Sequence, residues 1–364
     1  MVLSTLISTL ERFAPSAYQE SYDNSRLIVG NLQQTVTGVL LCLDTLESIV
    51  DEAIETDCNV IIAHHPIVFS GLKSLTGRNY VERVVLKAIK NDIAIYACHT
   101  NLDNVRAGVN AKICARLDLK NTRILAPKSR IIKQLSTYVP VDDAAEVRDA
   151  LFAVGAGKIG NYSETSFNSV GAGTFKGNDL SNAHSGKKNV RHYEAETKIE
   201  LVFEAHQEAA VLRALHQSHP YEEIAYNIIS LENVNKAIGA GMIGELDTPL
   251  NETDFLQLLK NQFNAACVRH TPFLNKPIKT VAVCGGSGSF LLRNAISAKA
   301  DVFVTADFKY HEFFDADNHL VIADIGHYET EQFTIDLFEE ILKQNFVDLR
   351  ILKTNINTNS VRYF

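Results

Sequence analysis

The sequence predicts an α/β protein in which one layered domain, built from both ends of the chain, is interrupted by a ferredoxin-like α+β insertion. Three observations carry that prediction. Apolar strand-like runs alternate with amphipathic helical stretches through the first third of the 364 residues. From about residue 128 the pattern changes to strand, helix and turn-rich strands, and after about residue 236 the first alternation returns.

Residues 35–44 (TVTGVLLCLD) read as a strand, 46–58 (LESIVDEAIETDC) as an amphipathic helix and 59–65 (NVIIAHH) as a second strand. Together they make a βαβ unit. A helix follows over 79–91, then a third strand over 93–103 (IAIYACHTNLD) and a helix over 109–119. Apolar strands spaced by helices indicate a mostly parallel sheet covered on both faces. Ligands collect at the carboxyl ends of such strands. His64, His65, His99 and Asp103 all fall at or just past those ends.

The middle of the chain reads strand, helix, turn-rich strands, and then, over 197–231, strand, helix, strand. That order is βαββαβ, the ferredoxin-like motif. The polar, Gly-, Asn- and Ser-rich stretch 176–194 is a long hairpin loop. In the last part a helix opens at a cap-like Asn251 or Thr253. It is followed by KTVAVCGG as strand, GSFLLRNAISAKA as helix, DVFVTAD as strand, KYHEFFDADN as helix, HLVIADIGH as strand and a final helix. The domains are therefore expected at 1–126 and 236–364 for the layered α/β domain and 127–235 for the insertion.

A formal net charge of −8, from 35 basic and 43 acidic residues, provides no field for nucleic acid or an anionic membrane. The short basic stretches 126–133 and 186–192 do not change that balance. The six cysteines are scattered, form no CxxC pair and read as reduced core residues. The first twenty residues lack a basic and apolar leader, and no window approaches eighteen uninterrupted apolar residues. A cytoplasmic protein is expected.

The last strand runs into ADIGHYETE, and if residue 327 opens a helix, His327 and Glu331 are four apart and share a face. Three separate segments, each at a strand end, thus supply imidazole and carboxylate without thiolate. That mixture suits zinc, iron, manganese or cobalt. Five or six such side chains exceed what one tetrahedral ion needs. A two-ion site, with ions about 3.5–4 Å apart and Glu331 or Asp103 bridging, would use them all. Adjacent His64 and His65 point opposite ways on an extended backbone, so a bend before Pro66 must turn both inward or give one to each ion.

Other motifs are weaker. CGGSGSF (284–290) sits between strand and helix, where glycine amides can cradle an anion, but it lacks a P-loop ending and reads equally as a tight turn. GAGMIG (239–244) matches GxGxxG in letters only, because no strand precedes it and no helix follows. His219, Glu222 and Glu223 enter a strand whose alternate side chains diverge, and are assigned a structural or interface role.

The segments DNSRLIVGN, GVLLCLD, AHHPIVFSGLK, YACHTNLDNVRAGVN, GAGMIGEL, GGSGSF, VTADFKYHEFFDA and DIGHYETE occur in an order and spacing that closely resemble the NIF3-like family. Its members also carry the names GTP cyclohydrolase 1 type 2 homologue and dinuclear metal-centre protein. The resemblance covers about residues 1–125 and 236–364, and HPYEEIAYNI resembles the PII-like or CutA-like insertion of the longer bacterial members.

By that resemblance His64, His65, Asp103, His327 and Glu331 would be the ligands of two divalent metal ions, and His99 would face the same cavity as a catalytic proton carrier or a ligand to substrate or water. The resemblance also implies a homohexamer. It departs from the family pattern at Ala306 and Arg26, where glycine is usual, which bears on local turn geometry. The implied activity is metal-dependent hydrolysis of a small-molecule substrate, either a nucleotide such as GTP, giving formate and a dihydroneopterin phosphate, or a phosphoester. The alternative is a non-catalytic metal-binding regulator whose PII-like insertion senses a ligand.

Overall fold

The computed structural model describes residues 1–364 and divides into two compact units, Met1–Pro127 with Lys236–Phe364, and Lys128–Asn235. The first unit holds two sheets. In the five-stranded sheet the order is Leu27–Val29, Ala94–Ala97, Val60–Ala63, Val39–Cys42 and Ile351–Lys353. All neighbours run parallel except the edge strand Leu27–Val29. The three central strands are buried along their whole length, as a sheet covered on both faces requires.

A second, six-stranded sheet runs in the order Arg269–His270, Val321–Asp324, Val302–Ala306, Ile278–Ser287, Asn235–Leu250 and Lys120–Lys128. Its central three strands are parallel, flanked by antiparallel neighbours. One core lies on one face, with Phe255, Leu259 and Phe263 of the helix Glu252–Phe263 packed against Val281, Val302 and Val304. The other face packs Phe303, Ile322 and Leu292. The last strand of the chain, Ile351–Lys353, pairs in parallel with Val39–Cys42, so the two ends of the sequence share one sheet.

Local chemistry sets the element boundaries. Asn251 is the cap of its helix, accepting from the Asp254 amide, and Asn264 ends the helix in the left-handed region at φ 51°. Asn79 caps the helix Tyr80–Lys90 by accepting from the Glu82 amide. The expected strand over 93–103 is shorter than its apolar run, because regular pairing stops at Ala97 and residues Thr100–Asp103 coil into one helical turn begun by His99. The segment KYHEFFDADN forms a 3-10 helix, Tyr310–Ala316. GAGMIG lies inside the long strand Asn235–Leu250 and starts no helix.

The second unit is the ferredoxin-like βαββαβ: strands Ile132–Pro140, Phe167–Phe175, His192–Glu204 and Tyr226–Leu231, with helices Ala144–Ala153 and Glu208–Ser218. The sheet order places His192–Glu204 and Ile132–Pro140 at the centre, and all pairs are antiparallel. Leu135, Val139, Ile199, Leu201 and Phe203 face Val147, Leu151, Val211 and Leu215 of the two helices in one core. His219 is structural here: its Nε2 donates to the Tyr138 carbonyl, and Glu222 accepts from the Asn182 amide. All six cysteines are free, and five are buried. Cys267 is the exception to a core assignment, exposed in the link that leads to the short edge strand Arg269–His270. No helix is long and apolar enough to cross a membrane.

Candidate metal centre

Both sheets of the first unit direct strand ends into a common cavity of about 1160 Å³. His64 and His65 follow the strand Val60–Ala63; His99 and Asp103 follow Ala94–Ala97; His327 and Glu331 lie on the helical turn His327–Glu331 that follows Val321–Asp324. His65, His99, Asp103, His327 and Glu331 line the cavity, while His64 is fully buried behind them. All six side chains named from the sequence thus meet. Three overlapping groups, His64–His65–His99, His65–His327–Glu331 and His64–Asp103–Glu331, each have ligand atoms within 4.8 Å of one another.

The four imidazoles share one orientation. Nδ1 of His64 lies 3.0 Å from the Cys98 carbonyl, Nδ1 of His65 2.7 Å from Asp44, Nδ1 of His99 2.8 Å from Asp23 and Nδ1 of His327 2.6 Å from Asp307. Carbonyl and carboxylate oxygens only accept, so each Nδ1 is the protonated nitrogen and donates. Nε2 is left to point away from the anchor, as in histidines that ligate metal.

Asp44, Asp23 and Asp307 did not emerge from the sequence as partners of these rings. Their signal was position, since Asp44 and Asp307 each close a predicted strand. Which ring each would meet depended on sheet order.

Glu331 divides its two oxygens between the halves of the cluster. Oε2 is 2.9 Å from Nε2 of His65 and 3.0 Å from Nε2 of His327, while Oε1 faces Nε2 of His64 at 3.8 Å. Gly286 makes room for that carboxylate: at φ +61° it holds a conformation that L side chains rarely adopt, and a Cβ there would lie 2.4 Å from Glu331 Oε1. The glycine-rich end of the strand Ile278–Ser287 therefore serves the cluster through its missing side chain.

The donor set fits metal better than it fits protons alone. His64 Nε2 and Asp103 Oδ1 are buried with no hydrogen-bond partner, 3.6 Å apart. That is too long for a good hydrogen bond. It matches two donors that each sit about 2.1 Å from one ion and subtend about 90–120°, which puts them about 3.0–3.7 Å apart.

The electrostatics also ask for positive charge. Burial disfavours the charged ring of His65, yet Asp44 and Glu331 override it and push its pKa up to about 9. Burial is likewise outweighed at His327, where Glu331 and Asp307 push it up to about 11. Two imidazolium Nε2 atoms would then stand 3.3 Å apart. Burial and the nearby Glu331 charge raise Asp103 to about 7, whereas His327, with His64 and His65, holds Glu331 well below its ordinary value despite burial. Divalent cations would satisfy all of these groups without that crowding.

The departures at Ala306 and Arg26 leave this geometry intact. The left-handed residue in the turn is Asp307, at φ 59°, so Ala306 ends its strand in ordinary conformation. Arg26 contributes its carbonyl to the Ala97 amide.

The profile of the family described as Duf34/NIF3 (NGG1p interacting factor 3) matches residues 1–360. A Halalkalibacterium halodurans protein named GTP cyclohydrolase 1 type 2 homolog is 37% identical over 360 residues, covering 98% of this chain and 97% of that one. A Bacillus subtilis protein of the same name is 38% identical over 325 residues, covering 89% of this chain and 87% of that one. Among solved structures, a Bacillus cereus protein related to NIF3 superposes with a TM-score of 0.85 at 34% identity, covering 100% of this chain and 99% of that one.

Proposed function

The chain belongs to the Duf34/NIF3 family, and from that membership and the shared Glu331 carboxylate we propose that it is a cytoplasmic hydrolase dependent on two divalent metal ions. His64, Asp103 and Glu331 would hold one ion, and His65, His327 and Glu331 the other. The set of neutral imidazole and carboxylate suits zinc, iron, manganese or cobalt. The chemistry such ions supply when bound is polarisation of an electrophilic centre and a lowering of the pKa of water towards about 7.

The remaining work falls to residues of the chain. His99 is the proton carrier: Asp23 accepts from its Nδ1, so Nε2 faces the cavity and exchanges a proton with water or a leaving group. Asp23 is itself held by the hydroxyls of Ser25 and Thr100 and the Thr100 amide. Those donors and His99 outweigh burial and keep its carboxyl strongly ionised. Asp23 therefore accepts and fixes the His99 tautomer without taking the proton.

The substrate is a small molecule. The name of the relatives points to GTP, opened at the purine ring with release of formate, and phosphoester hydrolysis would use the same groups. The observation that supports the reading most directly is the division of Glu331 between His64 on one side and His65 and His327 on the other.

The test is to reconstitute purified protein with each of the four metals and assay formate release from GTP and phosphate release from a phosphoester panel. Turnover that disappears in His64→Ala and Glu331→Ala supports the proposal. Its absence with every metal and substrate rejects catalysis and leaves the metal-binding regulator. The homohexamer implied by the family resemblance is part of the proposal, and light scattering should return six times the 40.3 kDa chain mass.

A further inference from the structure

The cavity around the histidine cluster has two chemically unlike ends. At the His99 end, the rings of Tyr22 and Phe69 stack with centroids 6.4 Å apart and planes 21° from parallel. Both line the cavity and both are exposed, at 63% and 50%. Phe69 turns its ring towards His99 at 6.0 Å, edge to face. The two loops that carry them are tied together, since Asn24 Nδ2 donates to the Val68 carbonyl at 2.7 Å. Solvent-exposed, mutually stacked rings held on anchored loops leave apolar faces open at the mouth of a polar site.

At the His327 end stands Arg269, the one lysine or arginine among the cavity residues, amid seven carboxylates. Its Nη2 donates to the Phe308 carbonyl at 3.0 Å and to buried Asp324, and its guanidinium lies 5.4 Å from the centre of the Phe313 ring. Asp324 in turn accepts from the amides of Phe308 and Gly326, the residues adjoining Asp307 and His327. The guanidinium is thus positioned from one edge. Its Nε and Nη1 have no acceptor in the protein, and the side chain is 53% exposed. An arginine fixed in this way offers a ready fork for a phosphate or carboxylate.

The histidine cluster lies between these ends, with His65 5.3 Å from His99 on one side and 5.2 Å from His327 on the other. We propose that Arg269 anchors an anionic group and that Phe69 with Tyr22 forms the platform for a planar ring, so that the cavity takes a ligand carrying both and lays it across the histidines. This assignment rests on the proposed metal-dependent function and specifies how that site chooses its substrate.

Three probes separate the two anchors: guanosine 5′-monophosphate, guanosine and inorganic phosphate, each titrated calorimetrically into manganese-reconstituted protein whose metal content is measured alongside. Arg269→Gln should weaken the monophosphate and phosphate by about tenfold or more and leave guanosine unchanged. Phe69→Ala should weaken the monophosphate and guanosine by about tenfold and leave phosphate unchanged. Arg269→Lys should recover part of the phosphate affinity, and Tyr22→Ala should repeat the Phe69→Ala pattern if that variant folds poorly.

Equal losses for all three probes, unaltered binding in either variant, or a wild type that binds none of the probes overturns the inference. Wild-type protein that takes up no manganese, zinc, iron or cobalt rejects the two-ion reading instead. The contrast between probes then still judges the two anchors by itself.

Discussion

His65 and Glu331 are 266 residues apart in the chain and 2.9 Å apart in space, Nε2 to Oε2. One follows a strand of the five-stranded sheet and the other sits beyond a strand of the six-stranded sheet, so the contact joins both halves of the first unit. The same Glu331 oxygen meets His327, and the other faces His64. One side chain therefore relates every histidine of the cluster except His99.

Asp44 tests whether orientation of the rings matters. It accepts from His65 Nδ1 at 2.7 Å and from the Thr358 hydroxyl at 2.7 Å. Asp44→Ala should weaken metal affinity by about 10–100-fold, the usual effect of removing the partner of a ligating histidine. Competition against a chromophoric chelator measures it. Unchanged affinity would show that His65 needs no such support.

Gly286→Ala places a methyl group against Glu331 and into a left-handed backbone position. The backbone effect alone costs about 1–2 kcal/mol. Displacement of the Glu331 carboxylate should cost metal occupancy as well. Elemental analysis together with a thermal melt separates the two, and a variant that melts lower but keeps full metal content would mean that Glu331 has other room to move.

Chelation should lower thermal stability. Ions bound only by the folded chain stabilise it by about 2.7 kcal/mol at a free concentration of about 100 times Kd. Melting with and without chelator should therefore give a lower Tm in the chelated sample, with recovery on adding metal back. Identical melting curves would falsify metal binding by the native cluster.

Glu82 carries a pH-dependent share of stability away from the cluster. Its carboxylate accepts from the amides of Thr76, Gly77 and Arg78, from the Thr76 hydroxyl and from the side chains of Arg78 and Asn79. The Thr76 amide leads these donors in lowering the pKa from 4.5 to about 2. Because the folded value is depressed, the contribution is complete above pH 4.5 and is lost as pH falls towards 2. Glu82→Gln should melt a few degrees below wild type at neutral pH, and the two curves should converge in acid. A gap that stays constant down to pH 2.5 would contradict the assignment.

The helix over Glu47–Glu55, the strand Val60–Ala63 and the pair His327 and Glu331 on one helical turn were legible in the sequence. Each depends on a period of apolar or polar residues within one short segment, which the backbone geometry of helix or strand imposes directly. The interruption by a βαββαβ unit was legible for the same reason, because its periodicity changes where the unit begins and ends. Asp103 was named as a ligand-type residue, although its segment was read as strand: regular pairing stops at Ala97 and Thr100–Asp103 coil into a helical turn.

What only the tertiary structure decided is who faces whom. The choice of Asp44, Asp23 and Asp307 as acceptors for three Nδ1 atoms, the sharing of Glu331 between two groups and the placing of Arg269 opposite Phe69 follow from strand order in two sheets. Neighbours in such sheets lie up to hundreds of residues apart in the chain, and no local periodicity encodes them. The sequence determined that imidazoles and carboxylates stand at strand ends. The packing of one sheet against the other determined that they converge, with each Nε2 turned inward because its Nδ1 is already bound.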